Sequence, residues 1–304
     1  MKALPVGRFA PSPTGPLHFG SLLAALGSYL SIRSQGGIWR LRIEDLDLLR
    51  TVPGSEDELL RTLERFGLEW DGPLVRQSER FALYEETLNA LGRQGVLFPC
   101  SCSRKEILAS APHAGEEGPI YPGTCRVGLR SGQEARALRL RVNDCPISFV
   151  DRLYGLYEQD LARDVGDFVL KRADGLFGYQ LAVVIDDGAS VVTEVVRGAD
   201  LLTSTPRQIY LQRLLGLPTP DYLHLPLALG DDGEKLSKRH MRYHLSADPP
   251  RALYDALCFL GQSPPESLCG AVPAEILAWA IAHFKTEKID RRNRLAPSRA
   301  AEER

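Results

Sequence analysis

Residues Arg8–Ser21 read RFAPSPTGPLHFGS, which sets a guanidinium, an imidazole and a hydroxyl around a turn broken by Gly and Pro. The apolar run Val6 to Ala10 predicts a buried strand, and Pro11, Pro13, Gly15 and Pro16 end it. The Ala/Leu-rich segment Leu17 to Leu30 then predicts a helix. Strand, tight turn and helix N-terminus together make a holder for phosphate: first-turn N–H groups lack partners within the helix, and its dipole favours an anion there. His18 and Ser21 fall three apart in that expected first turn, and Gly20 leaves room for a ligand against the backbone.

Phosphate chemistry recurs much later in the chain. Lys235-Leu236-Ser237-Lys238 follows a turn at Gly230-Asp231-Asp232-Gly233. Two lysines three apart on a Gly-rich loop suit the stabilisation of charge on a triphosphate as it breaks down. Taken alone, the pair also fits a solvated surface.

A third constellation is Cys100-x-Cys102 followed by Tyr121-x-x-x-Cys125. Thiolates bind zinc well, and a loop held by four ligands is a common small insertion. The spacing does not supply a fourth ligand; His113 is the chemically ordinary choice. Three plain cysteines in a reducing cytosol are the alternative. Cys145, Cys258 and Cys269 are expected to be buried apolar residues.

The elements that position these groups follow from periodicity. Ile38 to Ile43 alternates as a strand, and Glu44-Asp45-Leu46-Asp47 at its end falls where ligands bind in an α/β sheet. Helices are expected from Ser55 to Phe66, with Ser55 and Glu58 as a capping box, and from Ser78 to Gln94, with Ser78 as N-cap. From Val96 to about Asp164, Gly and Pro become frequent and short β-like runs appear at Arg136–Val142 and Ile147–Val150, as in an insertion. An α/β pattern then resumes, with strands at Phe168–Lys171 and Ser190–Val196. A helix at Thr205–Leu215 has cap candidates at Thr203 to Thr205. Helical patterns fill 248–289, and the tail 296–304 reads as mobile.

The 304 residues carry a net charge of −2, so the protein is not coated in positive charge, although a local basic patch stays compatible with nucleic acid. The clusters Arg40/Arg42, Arg136/Arg139/Arg141 and Arg291/Arg292/Arg294 read as solvated faces. No stretch approaches the ~18–20 apolar residues of a membrane span, and no signal-like run opens the chain, so the cytoplasm is the expected location.

The P-x-P-T-G-x-L-H-x-G turn and the K-L-S-K loop together resemble the two signatures of class I aminoacyl-tRNA synthetases. In order, LRIEDLD (41–47), FGLEWDG (66–72), LKRADG (170–175), YQLAVVIDD (179–187), VVRGADLLTSTPRQIYL (195–211) and YLHLPL (222–227) look like glutamyl-tRNA synthetase segments. The resemblance covers roughly residues 6 to 245. Only about sixty residues follow, where discriminating glutamyl-tRNA synthetases continue into a large anticodon-reading half. That shortness, with the C-x-C cluster, makes the chain resemble the glutamyl-Q tRNA(Asp) synthetase family.

The resemblance implies an α/β fold: a Rossmann-type class I synthetase catalytic domain with a parallel sheet, a zinc-bearing insertion and a short C-terminal helical region. Its divisions would be 1–95 and 166–240 for the two catalytic halves, 96–165 for the insertion, and 241–304 for a helical stem-contact region and tail, with no anticodon-binding domain. It implies a ligase that activates L-glutamate with ATP, without tRNA, and passes it to queuosine in the anticodon of tRNA(Asp). A minimal glutamyl-tRNA synthetase charging the 3′ end of tRNA(Glu) and a non-catalytic tRNA-binding paralogue are the alternatives.

By the same resemblance, Arg8, Phe9, Ala10, Pro11, Ser12, Glu44, Tyr179 and Arg197 form the glutamate site, with Glu44 opposite the substrate ammonium. Guanidinium forks suit the two carboxylates. The competing structural reading pairs Arg8 with Glu44. His18, Gly20, Ser21 and Lys238 would contact ATP, with His18, Ser21, Lys235 and Lys238 as the catalytic set. One structural Zn²⁺ would be held by Cys100, Cys102, Cys125 and, unusually, Tyr121, and Mg²⁺ would accompany ATP. No membrane partner is implied, and a monomer is expected. Ser21 and Arg239 depart from the family signatures without an expected loss of activation.

Overall fold

Val6–Phe9 (β1) is buried along its whole length, and Ile38–Ile43 (β2) along most of its own. They pair in parallel from Val6↔Ile38 to Phe9↔Leu41. The connection between them is Phe19–Arg33 (α1), a helix buried on most of its surface and therefore apolar nearly all round. Its close approach depends on glycine: a Cβ on Gly7 would fall 2.4 Å from Ile32 Cγ1, and one on Gly27 would fall 2.5 Å from Leu225 Cδ1. Trp39 is fully buried beside this seam. It stacks on Phe9 at 6.2 Å, meets Tyr29 edge-on at 5.1 Å and donates its indole N–H to Ser28 at 3.0 Å. The computed structural model describes residues 3–47, 49–110, 114–115, 118–143, 146–236, 245 and 248–297.

Next come Ser55–Arg65 (α2), Val75–Arg76 (β3), parallel to β2, and Phe81–Arg93 (α3). Neither expected cap forms. The N-cap of α2 is Gly54 at φ 78°, and the Ser55 hydroxyl donates instead to the carbonyls of Pro13 and Val52, pinning the helix to the loop after β1. Ser78 lies in a 3₁₀ turn, and its N–H and hydroxyl both bind Asp45. In each case a tertiary acceptor wins over the local cap.

The middle of the chain contributes Leu97–Cys100 (β4), Arg104–Ser110 (α4), the two-residue strands Ala114–Gly115 (β5) and Gly118–Pro119 (β6), and Ala137–Leu140 (β7). Pro146–Asp151 (β8) and Gly155–Asp160 (β9) form a hairpin, capped by the short helix Leu161–Asp164 (α5). Phe168–Lys171 (β10) then pairs antiparallel with β7, which also pairs antiparallel with β4.

Tyr179–Ala189 (α6) leads into Glu194–Gly198 (β11). This strand starts later than expected because Val191 takes a left-handed φ of 53°. A 3₁₀ turn, Ala199–Ser204, runs straight into Thr205–Leu215 (α7), so no side chain caps that helix. Asp221–Leu225 (β12) pairs in parallel with β11 and, at Tyr222↔Asp151, with β8. Ala228–Leu229 (β13) pairs with Arg294–Leu295 (β14), after Pro249–Phe259 (α8) and Pro273–His283 (α9), which pack on α1.

β1 runs beside β11, where Thr193 N–H donates to the Val6 carbonyl at 2.8 Å. The crossovers leave that seam in opposite directions: β1 connects through α1 to β2, and β11 connects through α7 to β12. A seam of this kind opens a crevice at the C-terminal strand ends, where α/β proteins bind ligands. Among the described residues no helix is long and apolar enough to cross a membrane.

The Gly7 contact yields a measurable expectation. Gly7→Ala should cost about 1–3 kcal/mol, as overpacking of a tight seam does. A denaturant midpoint equal to that of the parent would refute the view that this approach is sterically tight.

Candidate active site and cysteine cluster

A cleft of about 750 Å³ lies at the seam between β1 and β11. Its walls include Pro11 and Ser12 after β1, His18, Gly20 and Ser21 at the start of α1, and Lys235. His18 is the N-cap of α1 rather than a first-turn residue, and its Nδ1 accepts the Ser21 N–H at 3.3 Å. The Ser21 N–H is also bonded to the His18 carbonyl at 2.8 Å, so the amides of Phe19 and Gly20 are the ones left by the helix for an anion. A Cβ on Gly20 would stand 3.1 Å from His18 Cε1, so this glycine lets the imidazole lie over the helix end.

Lys235 reaches the cleft from a tight turn in which Gly233 takes φ 77° and Leu236 N–H bonds to the Ala228 carbonyl. Its ammonium pairs with Asp200, which also lines the cleft. Lys238 lies outside the described residues, as do His113 and Cys145. Arg50 is a further cation lining the cleft that sequence reading did not single out.

Arg8 and Arg197, which are buried, and Glu44 and Tyr179, which are half-buried, form a charged cluster at the ends of β1, β2 and β11 and the start of α6. The Glu44 N–H bonds to the Pro11 carbonyl at 2.9 Å, tying this cluster to the turn that walls the cleft. Arg8 does not pair with Glu44. Its Nε binds both oxygens of Asp187, at 3.1 and 3.3 Å. Arg42 bridges the two acids, with Nη1 2.6 Å from Asp187 and Nη2 3.1 Å from Glu44. Asp186, the residue before Asp187, takes Gln77, Arg80 and Tyr84. Sequence reading quoted Arg42, Asp186 and Asp187 within motifs but gave them no role, and it placed Arg42 on a solvated face. It is 3% exposed, and so is counter to that reading, as is the buried Arg139. Two adjacent acids inside an apolar helical run were the available signal.

Burial pushes the Glu44 carboxyl above its ordinary range, opposed by Arg42 and Arg8. Burial acts the same way on Asp187, but there Arg8 and Arg42 outweigh it and hold the carboxyl below its usual range. The Tyr179 phenol is pushed up by burial and feels Arg197, Glu44 and Arg8, so the four groups share one electrostatic environment. Arg197 is held by His224, Thr205 and the Leu201 carbonyl, and its Nη1 lies 3.5 Å from the Tyr179 hydroxyl.

Away from the cleft, the thiols of Cys100, Cys102 and Cys125 lie within 4.8 Å of one another. The Tyr121 hydroxyl is 3.5 Å from Cys100 Sγ and 3.9 Å from Cys102 Sγ, and it accepts the Cys125 N–H at 2.9 Å. Cys102 and Cys125 are 3.6 Å apart. A tetrahedral zinc with bonds of about 2.3 Å sets sulfurs about 3.8 Å apart, so the donor set fits that ion. Burial raises Cys125, but hydrogen bonds from the Ser101 backbone and from Tyr121 carry it down to about 6, while burial and its thiol neighbours push Cys102 up to about 11. Against expectation, Cys258 is exposed, on the solvent side of α8, and Cys269 is half-buried.

The chain is 56% identical to a glutamyl-Q tRNA(Asp) synthetase of Dechloromonas aromatica (strain RCB) over 94% of its length and 96% of the relative's. It is 54% identical to one of Geobacter sulfurreducens, over 93% of both. The family model for tRNA synthetases class I (E and Q), catalytic domain, matches residues 6–269. The chain belongs to the glutamyl-Q tRNA(Asp) synthetase family of class I aminoacyl-tRNA synthetases. Like that class, this synthetase is a ligase. Its fold overlays a glutamate tRNA ligase from Elizabethkingia meningosepticum, solved with its amino acid, with a TM-score of 0.79 and 27% identity over 97% of this chain and 68% of that one. The α/β class I catalytic fold expected from sequence is therefore the fold of this synthetase.

The charged cluster predicts a pH-dependent stability. Asp187, held below its unfolded value, contributes stability that is present above the unfolded carboxyl range and lost as pH falls through its depressed value. Arg42→Met should weaken that contribution, leaving Asp187 with Arg8 alone and Glu44 with no cation in contact among the described residues, at a cost of about 3–5 kcal/mol near neutral pH. The gap from the parent should close as pH falls below about 4, which pH-dependent denaturant melts would read. A gap that is small at pH 7, or that stays constant with pH, would count against this assignment.

Proposed function

We propose that this synthetase activates L-glutamate with ATP to glutamyl-adenylate without tRNA, and then glutamylates the queuosine base in the anticodon of tRNA(Asp). The observation that carries the reading is the largely buried array Arg8–Glu44–Tyr179–Arg197, which adjoins a phosphate-type helix end in a chain more than half identical to enzymes of that name. Glutamate has two carboxylates and one ammonium, and this array offers guanidinium groups to the first and the Glu44 carboxylate to the second. Phe9, Ala10, Pro11 and Ser12 would supply the backbone wall beside it.

ATP, with its Mg²⁺, would lie over the start of α1, with His18, Gly20 and Ser21 beneath it and Lys235 and Lys238 closing on the phosphates. A glutamate α-carboxylate oxygen attacks the α-phosphorus in line, and the bond to the β-phosphate oxygen breaks to release pyrophosphate. The protein supplies orientation and charge, and no covalent nucleophile is needed. A hydroxyl of the queuosine ring then attacks the adenylate carbonyl, and AMP leaves. Cys100, Cys102, Cys125 and Tyr121 would hold one Zn²⁺, whose role is to cross-link its loop rather than to take part in the reaction.

Glutamate-dependent ATP–pyrophosphate exchange in the absence of RNA, and transfer of labelled glutamate to queuosine-containing tRNA(Asp), are the expected activities. Equal transfer to tRNA(Asp) lacking queuosine, or charging of the 3′ end of tRNA(Glu), would sink the proposed acceptor. For the metal, elemental analysis should find about one zinc per chain, lost in a Cys100→Ser/Cys102→Ser variant. Full zinc in that variant would remove the site as drawn.

A further inference from the structure

Behind Arg197 stands a buried polar chain that the reaction as described does not use. His224 is fully buried on β12, directly across from Arg197 on β11 in the parallel register. Its Nδ1 is 2.7 Å from Asp151 Oδ2, and its Nε2 is 3.1 Å from Arg197 Nε. Asp151 is 1% exposed and has both oxygens engaged: Oδ2 also accepts the His224 N–H at 3.0 Å, and Oδ1 accepts the Leu153 and Tyr154 N–H groups at 2.9 Å.

Thr205 Oγ1 also lies 3.3 Å from His224 Nε2, and the bonds to Arg197 and Asp151 then fix the state of the ring. Arg197 Nε carries a proton and can only donate, so His224 Nε2 must offer a lone pair. The imidazole proton then sits on Nδ1 and is donated to the carboxylate of Asp151, which can only accept. An imidazolium would set two N–H groups and two positive charges against each other in a dry interior. We propose that Asp151 and His224 are positioning residues that lock Arg197 as a substrate anchor. This rests on the reading of Arg197 as part of the glutamate site.

The lock also decides which part of the guanidinium is offered. Nε is committed to His224. Nη2 is committed to Thr205 Oγ1 at 2.8 Å and to the Leu201 carbonyl at 3.3 Å. Nη1 reaches only the Tyr179 hydroxyl among the described residues, at 3.5 Å. Arg197 therefore presents one nitrogen beside one phenol, and a carboxylate oxygen would be taken jointly by Nη1 and the Tyr179 hydroxyl rather than by a two-nitrogen fork. Such a contact fixes the position of a single oxygen, and so sets the depth at which the substrate sits.

The charged and titratable groups around the His224 ring are Asp151 on β8, Arg197 on β11, Asp200 in the following 3₁₀ turn and Tyr222 on its own strand, stacked at 6.1 Å. Burial, aided by Arg197, lowers the imidazole below its ordinary value despite Asp151, in keeping with the neutral ring that the hydrogen bonds require.

The first test uses the unmodified protein. Nitrogen NMR of the histidine rings should find His224 neutral, with its proton on Nδ1, from pH 6 to 8. A proton on Nε2, or an imidazolium, would overturn the proposal. The second test is kinetic. Asn can reproduce the bond to Asp151 but not the acceptor for Arg197, whereas Gln can reach the Nε2 position with its carbonyl oxygen. His224→Asn should raise the KM for glutamate in pyrophosphate exchange at least tenfold with the KM for ATP unchanged, and His224→Gln should recover most of the loss. A generally destabilising role would move both KM values and both variants together, and that result would also overturn the proposal. Arg197→Lys separates the premise: if it leaves the KM for glutamate unchanged, the glutamate-site reading itself fails. If it raises that KM while His224→Asn does not, only the positioning role fails.

Discussion

Asp187 holds two guanidinium groups that come from neighbouring parallel strands, Arg8 on β1 and Arg42 on β2. All three side chains are almost completely removed from water. In such a place a charge that loses its partner costs far more than a surface ion pair gains, so each group constrains the others. Arg42 extends the constraint to Glu44, and Glu44 is tied by its backbone to the turn at Pro11. The array is thus set by the protein before any ligand arrives. That is the condition under which a polar site can orient a small zwitterion without reorganising around it.

The array exists only because the backbone elements come very close. β1 and β2 lie side by side, α6 delivers adjacent acids to two different partner sets, and α1 presses on the sheet where Gly7 and Gly27 leave no room for a Cβ. The same pressing places the N-terminus of α1 over the ends of β1 and β11, which is where the cleft opens. Packing and chemistry are therefore not separable here. The contact that closes the hydrophobic seam also sets the distance between the helix end and the charged cluster.

Local pattern made much of this legible in the sequence. The first strand, turn and helix, the second strand with its acidic end and the Cys–Tyr–Cys grouping are each carried by neighbours in the chain, and their types survive folding. What failed locally failed for a tertiary reason. Ser55 and Ser78 have the right identity for caps, yet a carbonyl of the β1 loop and the carboxylate of Asp45 claim them. Partners at long range left little trace. Asp187 lies 179 residues from Arg8, and Asp151 lies 73 from His224, and no periodicity links such positions. Their only local mark is polarity inside an apolar run, as in VVIDD and YLHLPL.

The β8–β9 hairpin ties the segment 96–165 to the core. β8 pairs with β12 at Asp151, so a strand from that segment extends the parallel sheet of the core. The aspartate at that junction lies under His224, which lies under Arg197. Meanwhile Asp167, just past the segment, binds Arg126 and the Val142 N–H within it, and its own carbonyl accepts from Arg139, whose guanidinium covers the Tyr121 ring at 3.9 Å. A continuous set of buried polar contacts thus runs from the cysteine cluster into β10, while a second enters the charged cluster through β8. The cysteine cluster therefore belongs to a segment that is hydrogen-bonded to the floor of the candidate active site, although among the described residues no thiol lines the cleft. The cysteine cluster and the candidate active site are thus joined through paired strands and buried hydrogen bonds, without direct contact between them.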